Sequence, residues 1–132
     1  MKGRSHIFHL AIPCANLDQA ASFYTQLGAG VARRYDDRIT LNFFGDQVVC
    51  HLAPESIDRQ PKMYPRHFGL TFGRREDFDQ VYTRAQEGGL SFFADVQVRF
   101  QGLNEEHLTF FLKDPSNNLL EFKYYYNSEM MF

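Results

Sequence analysis

Short apolar runs and amphipathic stretches alternate along this chain, and they do so twice in the same order. The run Ile7 to Ile12, "IFHLAI", is bounded by Pro13 and predicts a strand. Asn16 then precedes "LDQAASFYTQLG", in which Leu17, Ala20, Ala21, Tyr24 and Leu27 recur at helical spacing. Asn16 suits an N-cap, Asp18 the first turn and Gly28 the stop. The stretch "GVARRYDDRITLNFFGDQVVCHLA" is punctuated by Asp36-Asp37 and Gly45-Asp46 into three short strands. Residues 7 to 53 therefore read β-α-β-β-β.

Residues 54–65 hold three prolines and no period, and read as a loop. The order then returns. Arg66 to Phe72 predicts a strand, and "REDFDQVYTRAQEGG" a helix with Phe78, Val81, Tyr82 and Ala85 on one side and a double-glycine stop. "LSFFADVQVRF", "HLTFFLKD" and "NLLEFKYYY" predict three more strands, the last two separated by the turn signal "DPSNN". Setting His9 on His67 aligns Tyr24-Thr25 with Tyr82-Thr83 and Gly30 with Gly88. Setting "FFGDQVVCHL" on "FFLKDPSNNLLEF", with a longer second turn, brings His51 opposite Glu121. The expectation is one domain over residues 1–132, built from a module at 6–53 and a module at 66–125 joined by the loop 54–65.

Strand residues alternate faces. In each copy the bulky apolar face should pack on a helix: Phe8, Leu10 and Ile12, or Phe68, Leu70 and Phe72. The opposite face carries His9 in the first strand, His67 in the fifth, His51 in the fourth and Glu121 in the last. Charged and imidazole side chains within a sheet must be paired, ligated or wet. A single strand histidine is usually a hydrogen-bonded core or surface residue, and a glutamate on an edge strand is usually solvated. Repetition at equivalent positions favours a shared role instead. Two imidazoles and a carboxylate suit a divalent ion, whether Fe(II), Zn, Mn, Ni or Co, and they are the donor set of the facial triad, which leaves positions open for substrate and O2. His51 reads as a fourth ligand, a neighbour of the ligands, or a strand-end residue facing water. His107 reads as a solvated strand start or as an acid/base group at the rim of a pocket.

Composition narrows the partners. Hydrophobic residues make up 44% of the chain and aromatics 16%, a globular balance with enough rings to fill a core. The net charge of −2 and the absence of a basic stripe exclude a nucleic-acid partner from the expectation. No apolar run is long enough for a signal peptide or a membrane span, and two cysteines are too few for a disulfide framework. The expectation is a soluble cytoplasmic protein that binds a small molecule.

The segments "HLAIPCANLDQAASFYTQLG" and "FFLKDPSNNLLEF" make the chain, over about residues 6 to 125, similar to the vicinal oxygen chelate superfamily, which includes glyoxalase I, bleomycin- and fosfomycin-resistance proteins, methylmalonyl-CoA epimerase and extradiol dioxygenases. The resemblance implies an α+β fold of two βαβββ modules whose mixed sheet curls around one metal. It implies His9, His67 and Glu121 as ligands, with His51 where glyoxalases place a carboxylate, and a homodimer. Catalytic members chelate two adjacent substrate oxygens on the ion. The first expectation is a small Fe(II) ring-cleaving dioxygenase, with His107 as acid/base and Tyr124 or Tyr126 bonding the substrate. The alternatives are a Zn, Ni or Co lyase or epimerase, with a fosfomycin-type transferase as a variant calling on Arg66 and Lys123, and a metal-free drug-sequestering protein.

Overall fold

The computed structural model describes residues 5–132. The first half runs β1 (His9–Cys14), α1 (Leu17–Leu27), β2 (Gly30–Arg34), β3 (Arg38–Phe43) and β4 (Asp46–Leu52). The second runs β5 (Phe68–Phe72), α2 (Arg75–Glu87), β6 (Phe92–Arg99), β7 (His107–Lys113) and β8 (Leu119–Tyr125). Short 3-10 turns lie at Pro54–Ser56 and Ser128–Met131. There are two open four-stranded sheets, ordered β1-β4-β3-β2 and β5-β8-β7-β6. In each, the first strand is an edge strand parallel to the last, and the other pairings are antiparallel. This is the expected α+β fold of two βαβββ copies.

The chain divides into two compact units. One runs to Gln60 and takes in Pro115–Asn118, and the other comprises Pro61–Asp114 and Leu119–Phe132. The first unit holds the "DPSNN" turn by three hydrogen bonds. Ser116 Oγ accepts from the Ala15 amide at 2.9 Å, Asn118 Nδ2 donates to the Pro13 carbonyl at 2.9 Å, and Asn117 Nδ2 donates to the Asp58 carbonyl at 2.9 Å.

In the first unit α1 begins at Asn16, whose side chain accepts from the Gln19 amide, and ends at Gly28, whose φ of 116° is the left-handed conformation that favours glycine. Its buried residues are Leu17, Ala20, Phe23, Tyr24 and Leu27, and the Tyr24 ring meets Phe43 edge-on. Each large side chain buried this way stabilises the fold by about 1.5–3 kcal/mol. β1 starts two residues later than the apolar run and continues through Pro13 to Cys14. An edge strand has one open side, so a proline there need not interrupt the ladder to β4.

In the second unit α2 packs Phe78 and Tyr82 against Phe110, with ring centroids 5.3 and 5.1 Å apart, and Phe110 packs on Phe122. Phe110 and Phe122 therefore mark the helix side of this sheet. Their alternates Thr109, Phe111, Glu121 and Lys123 face the other way. Among the described residues, no helix is long and apolar enough to cross a membrane.

Candidate functional site

Three elements of the second unit converge on Glu121. β8 carries it on the face opposite α2, where it is buried, with 8% of its surface accessible. Thr109 of β7, fully buried on the same face, donates its hydroxyl to Glu121 Oε2 at 2.6 Å. His67, one residue before β5, brings Nε2 to 3.1 Å from Glu121 Oε1. The other ring nitrogen of His67, Nδ1, lies 2.6 Å from the carbonyl of Met63, at the end of the proline-rich loop. The imidazole is also wedged edge-on between the rings of Tyr64 and Phe111, at 5.6 and 5.2 Å. Both carboxylate oxygens and both ring nitrogens are thus engaged.

The backbone beneath is tight. Gly69 of β5 is registered with Glu121, and a Cβ built on Gly69 would fall 1.7 Å from the Glu121 carbonyl oxygen. Glycine is required there because the neighbouring main chain occupies the space of a side chain. A recess of about 230 Å³ opens over these residues, lined by His67, Phe68, Gly69, Leu70, Thr71, Glu121 and Lys123.

A model of the Glyoxalase/Bleomycin resistance protein/Dioxygenase superfamily matches residues 6–122. The chain belongs to this superfamily. Among solved structures, the glyoxalase/bleomycin resistance protein/dioxygenase from Alicyclobacillus acidocaldarius is 57% identical, with all of both chains covered and a TM-score of 0.95. Two more distant structures share the superfamily fold. A genomically encoded fosfomycin resistance protein from Listeria monocytogenes is 16% identical, with 96% of this chain and 98% of that one covered and a TM-score of 0.73. Lactoylglutathione lyase from Agrobacterium tumefaciens is 15% identical, with 91% and 93% covered and a TM-score of 0.66. No curated protein matched the sequence.

The two units repeat one strand order, so strand register decides which residues are equivalent. His9 of β1 pairs with Gln47 of β4, and Ala11 with Val49. In the second unit Phe68 pairs with Leu120 and Gly69 with Glu121, so His67 falls beside Leu119. The equivalent of Glu121 is therefore Val49, not His51. Matching the Phe pairs before the two turns puts the copies two residues out of step, because Phe43-Phe44 and Phe110-Phe111 are not at equivalent register. His51 corresponds to Lys123, and it is exposed, registered between Pro13 and Arg38. It lies four residues beyond the partner of His9, about 13 Å along the strand. His9 itself is exposed at the start of β1.

The two residues expected to act as acid/base and hydrogen-bond donor stand apart from Glu121. His107 is buried rather than solvated, and its Nδ1 lies 2.8 Å from the Glu105 carbonyl. Its ring packs on Tyr125 at 4.4 Å, four residues from Glu121 along β8 and thus about 13 Å away. Tyr124 alternates with Glu121 and Lys123 and so lies on the helix side, registered with Phe72 and Leu108. On that side the Arg75 guanidinium at the start of α2 is held protonated chiefly by its hydrogen bond to Asp79, with Tyr124 a minor influence. Tyr126, edge-on to Tyr124, is half exposed.

Thr109 and the Met63 carbonyl are the site groups that the sequence reading passed over. Thr109 carried a usable signal, since strand alternation in "HLTFF" sets it opposite the helix-facing Leu108 and Phe110. A loop carbonyl leaves no trace in residue type. Among the described residues, no three His, Cys, Asp or Glu side chains form a group able to hold a metal.

Proposed function

We propose that this protein is a metal-dependent enzyme acting on a small molecule with two adjacent oxygens, with His67 and Glu121 as two ligands. The observation that carries this reading is the wiring of His67. A carbonyl oxygen only accepts, so the contact with Met63 places a proton on Nδ1. A neutral imidazole has one N–H, and Nε2 then turns a lone pair toward a carboxylate oxygen 3.1 Å away. Two lone pairs face each other unless a cation, proton or metal, lies between. Two ligands about 2.1 Å from one ion and at right angles to each other stand about 3.0 Å apart, which matches that spacing. The Met63 and Thr109 contacts supply the outer hydrogen bonds that orient ligating histidines and carboxylates.

The third ligand we assign to His9 of a second copy, in keeping with the homodimers that the superfamily resemblance implies. When bound, the ion polarises two adjacent substrate oxygens and stabilises the negative charge that develops on them. The protein's own part is to hold His67 in one tautomer, keep Glu121 Oε1 directed at His67 through Thr109, and present the substrate in the recess beside Gly69 and Thr71.

Within this class we assign ring cleavage of a catechol-like substrate with Fe(II) and O2. Two histidines and one carboxylate are the donor set for that chemistry. A hemithioacetal isomerase needs a second carboxylate as base. Among the residues that share the His9 and His67 faces of β1, β4, β5 and β8, Glu121 is the sole carboxylate. Loading with Fe(II) under anaerobic conditions, followed by catechol and O2, tests the assignment. O2 uptake with a ring-opened product, both abolished in His67→Ala, is expected. Hemithioacetal turnover with Zn or Ni and no O2 uptake would move the protein to the lyase reading. Tight binding of an aromatic drug by a chain that retains no metal would make it a sequestering protein.

A further inference from the structure

The recess over Glu121 contains one group that neither the ligand set nor the reaction uses. Lys123 lies two residues after Glu121 on β8 and lines the same recess. Strand alternation puts it on the Glu121 face, between Thr71 of β5 and Thr109 of β7. Glu121, whose two oxygens are engaged by Thr109 and His67, makes no ion pair with it. The ammonium lies 5.5 Å from the centre of the Tyr125 ring, and among the described residues no carboxylate pairs with it. Thr71, its registered neighbour in the recess, adds a hydroxyl that can donate to an anion. An ammonium with no carboxylate partner and a hydroxyl, on residues about 7 Å along the strand from the proposed ligand, give that end of the recess a preference for an anion.

We infer that Lys123 is a specificity residue which selects substrates bearing an anionic group, a carboxylate above all, on the ring that presents the two adjacent oxygens. The inference rests on the metal reading for where the oxygens bind, and on the recess alone for the anion. A ring with chelating oxygens at one end and a carboxylate at the other is about 6 Å long, close to the roughly 7 Å strand repeat that separates the Glu121 and Lys123 levels. The equivalent residue of the first unit is His51, which is exposed and registered with Arg38, so that unit offers no copy of this arrangement.

The test compares protocatechuate, a catechol with a ring carboxylate, with unsubstituted catechol. Both are titrated into the full chain with Zn(II) as a redox-inert probe metal, and again after chelator treatment. Wild type is expected to prefer protocatechuate in both conditions. Lys123→Met is expected to weaken protocatechuate binding about 10- to 100-fold and leave catechol unchanged, because a charge-assisted contact is lost. Lys123→Arg is expected to restore most of the preference. Zn(II) affinity should be the same in all three proteins. Equal weakening of both probes in Lys123→Met, or no carboxylate preference in wild type in either condition, overturns the inference. Failure of the metal reading has a separate signature: neither probe tightens on adding Zn(II), while the chelator-treated titrations still decide the role of Lys123.

Discussion

The two units have the same strand order and the same pairing pattern, yet at equivalent register they hold different side chains. The second unit places Gly69, Glu121, Thr109 and Lys123 where the first places Ala11, Val49, Arg38 and His51. In the second, a glycine lets two main chains approach, a buried carboxylate sits over the gap, and a threonine and a histidine hold both its oxygens. In the first, an alanine is registered with a valine, His9 and His51 on this face are exposed, and Arg38 is paired with Asp37. Copying a fold has therefore not copied the chemistry. The strand framework supplies equivalent positions, and single substitutions at those positions decide which copy is wired.

The Gly69/Ala11 pair should give the largest contrast. Gly69→Ala must displace the Glu121 main chain and is expected to cost about 3 kcal/mol or to abolish folding. Ala11→Gly, at the equivalent place, is expected to cost about 1 kcal/mol through backbone entropy. Chemical denaturation of both variants measures the difference, and equal costs would remove the distinction between the two edges.

Next in size is Thr109→Val. It keeps the shape of the side chain and removes the one hydroxyl on Glu121 Oε2, so a loss of about 1–3 kcal/mol is expected, together with about tenfold weaker metal binding. Thr109→Ser should recover most of both. A Val variant as stable as wild type, with unchanged metal affinity, would show that the Glu121 carboxylate does not depend on this bond.

The smallest effects are expected at the residues that register or alternation removes from the site. His51→Ala and Tyr124→Phe should each leave metal affinity within about twofold of wild type, because His51 is equivalent to Lys123 rather than to Glu121 and Tyr124 faces α2. Isothermal titration with Zn(II) checks both. A large loss in His51→Ala would restore the equivalence of His51 and Glu121 and sharpen the comparison in the opposite direction.

Most of the framework was legible in the order of residues. Asn16 and Gly28 cap α1 as their chemistry predicts, and the alternation of "LLEFKYY" correctly separates Glu121 from the helix-facing Phe122. The same alternation already argued against Tyr124, which shares a face with Phe122. Register was not legible. It depends on how many residues each turn consumes, and a two-residue slip preserves the face while changing the partner. This is why His51 passed for the counterpart of Glu121 when Val49 holds that place. The site itself was half legible: Glu121 on a strand and His67 at the start of one announce themselves as titratable residues, whereas Gly69, Thr109 and the Met63 carbonyl matter through distances that only the folded chain creates.

The central claim is that His67 Nε2 and Glu121 Oε1 share one cation. The direct measurement is Zn(II) or Fe(II) titration of the chelator-treated protein beside His67→Ala, with circular dichroism to confirm that both are folded. Tight binding by wild type that weakens at least about 100-fold in a folded His67→Ala protein is the predicted result. A folded His67→Ala protein that binds the metal as tightly as wild type, or a wild type that binds none, would contradict it.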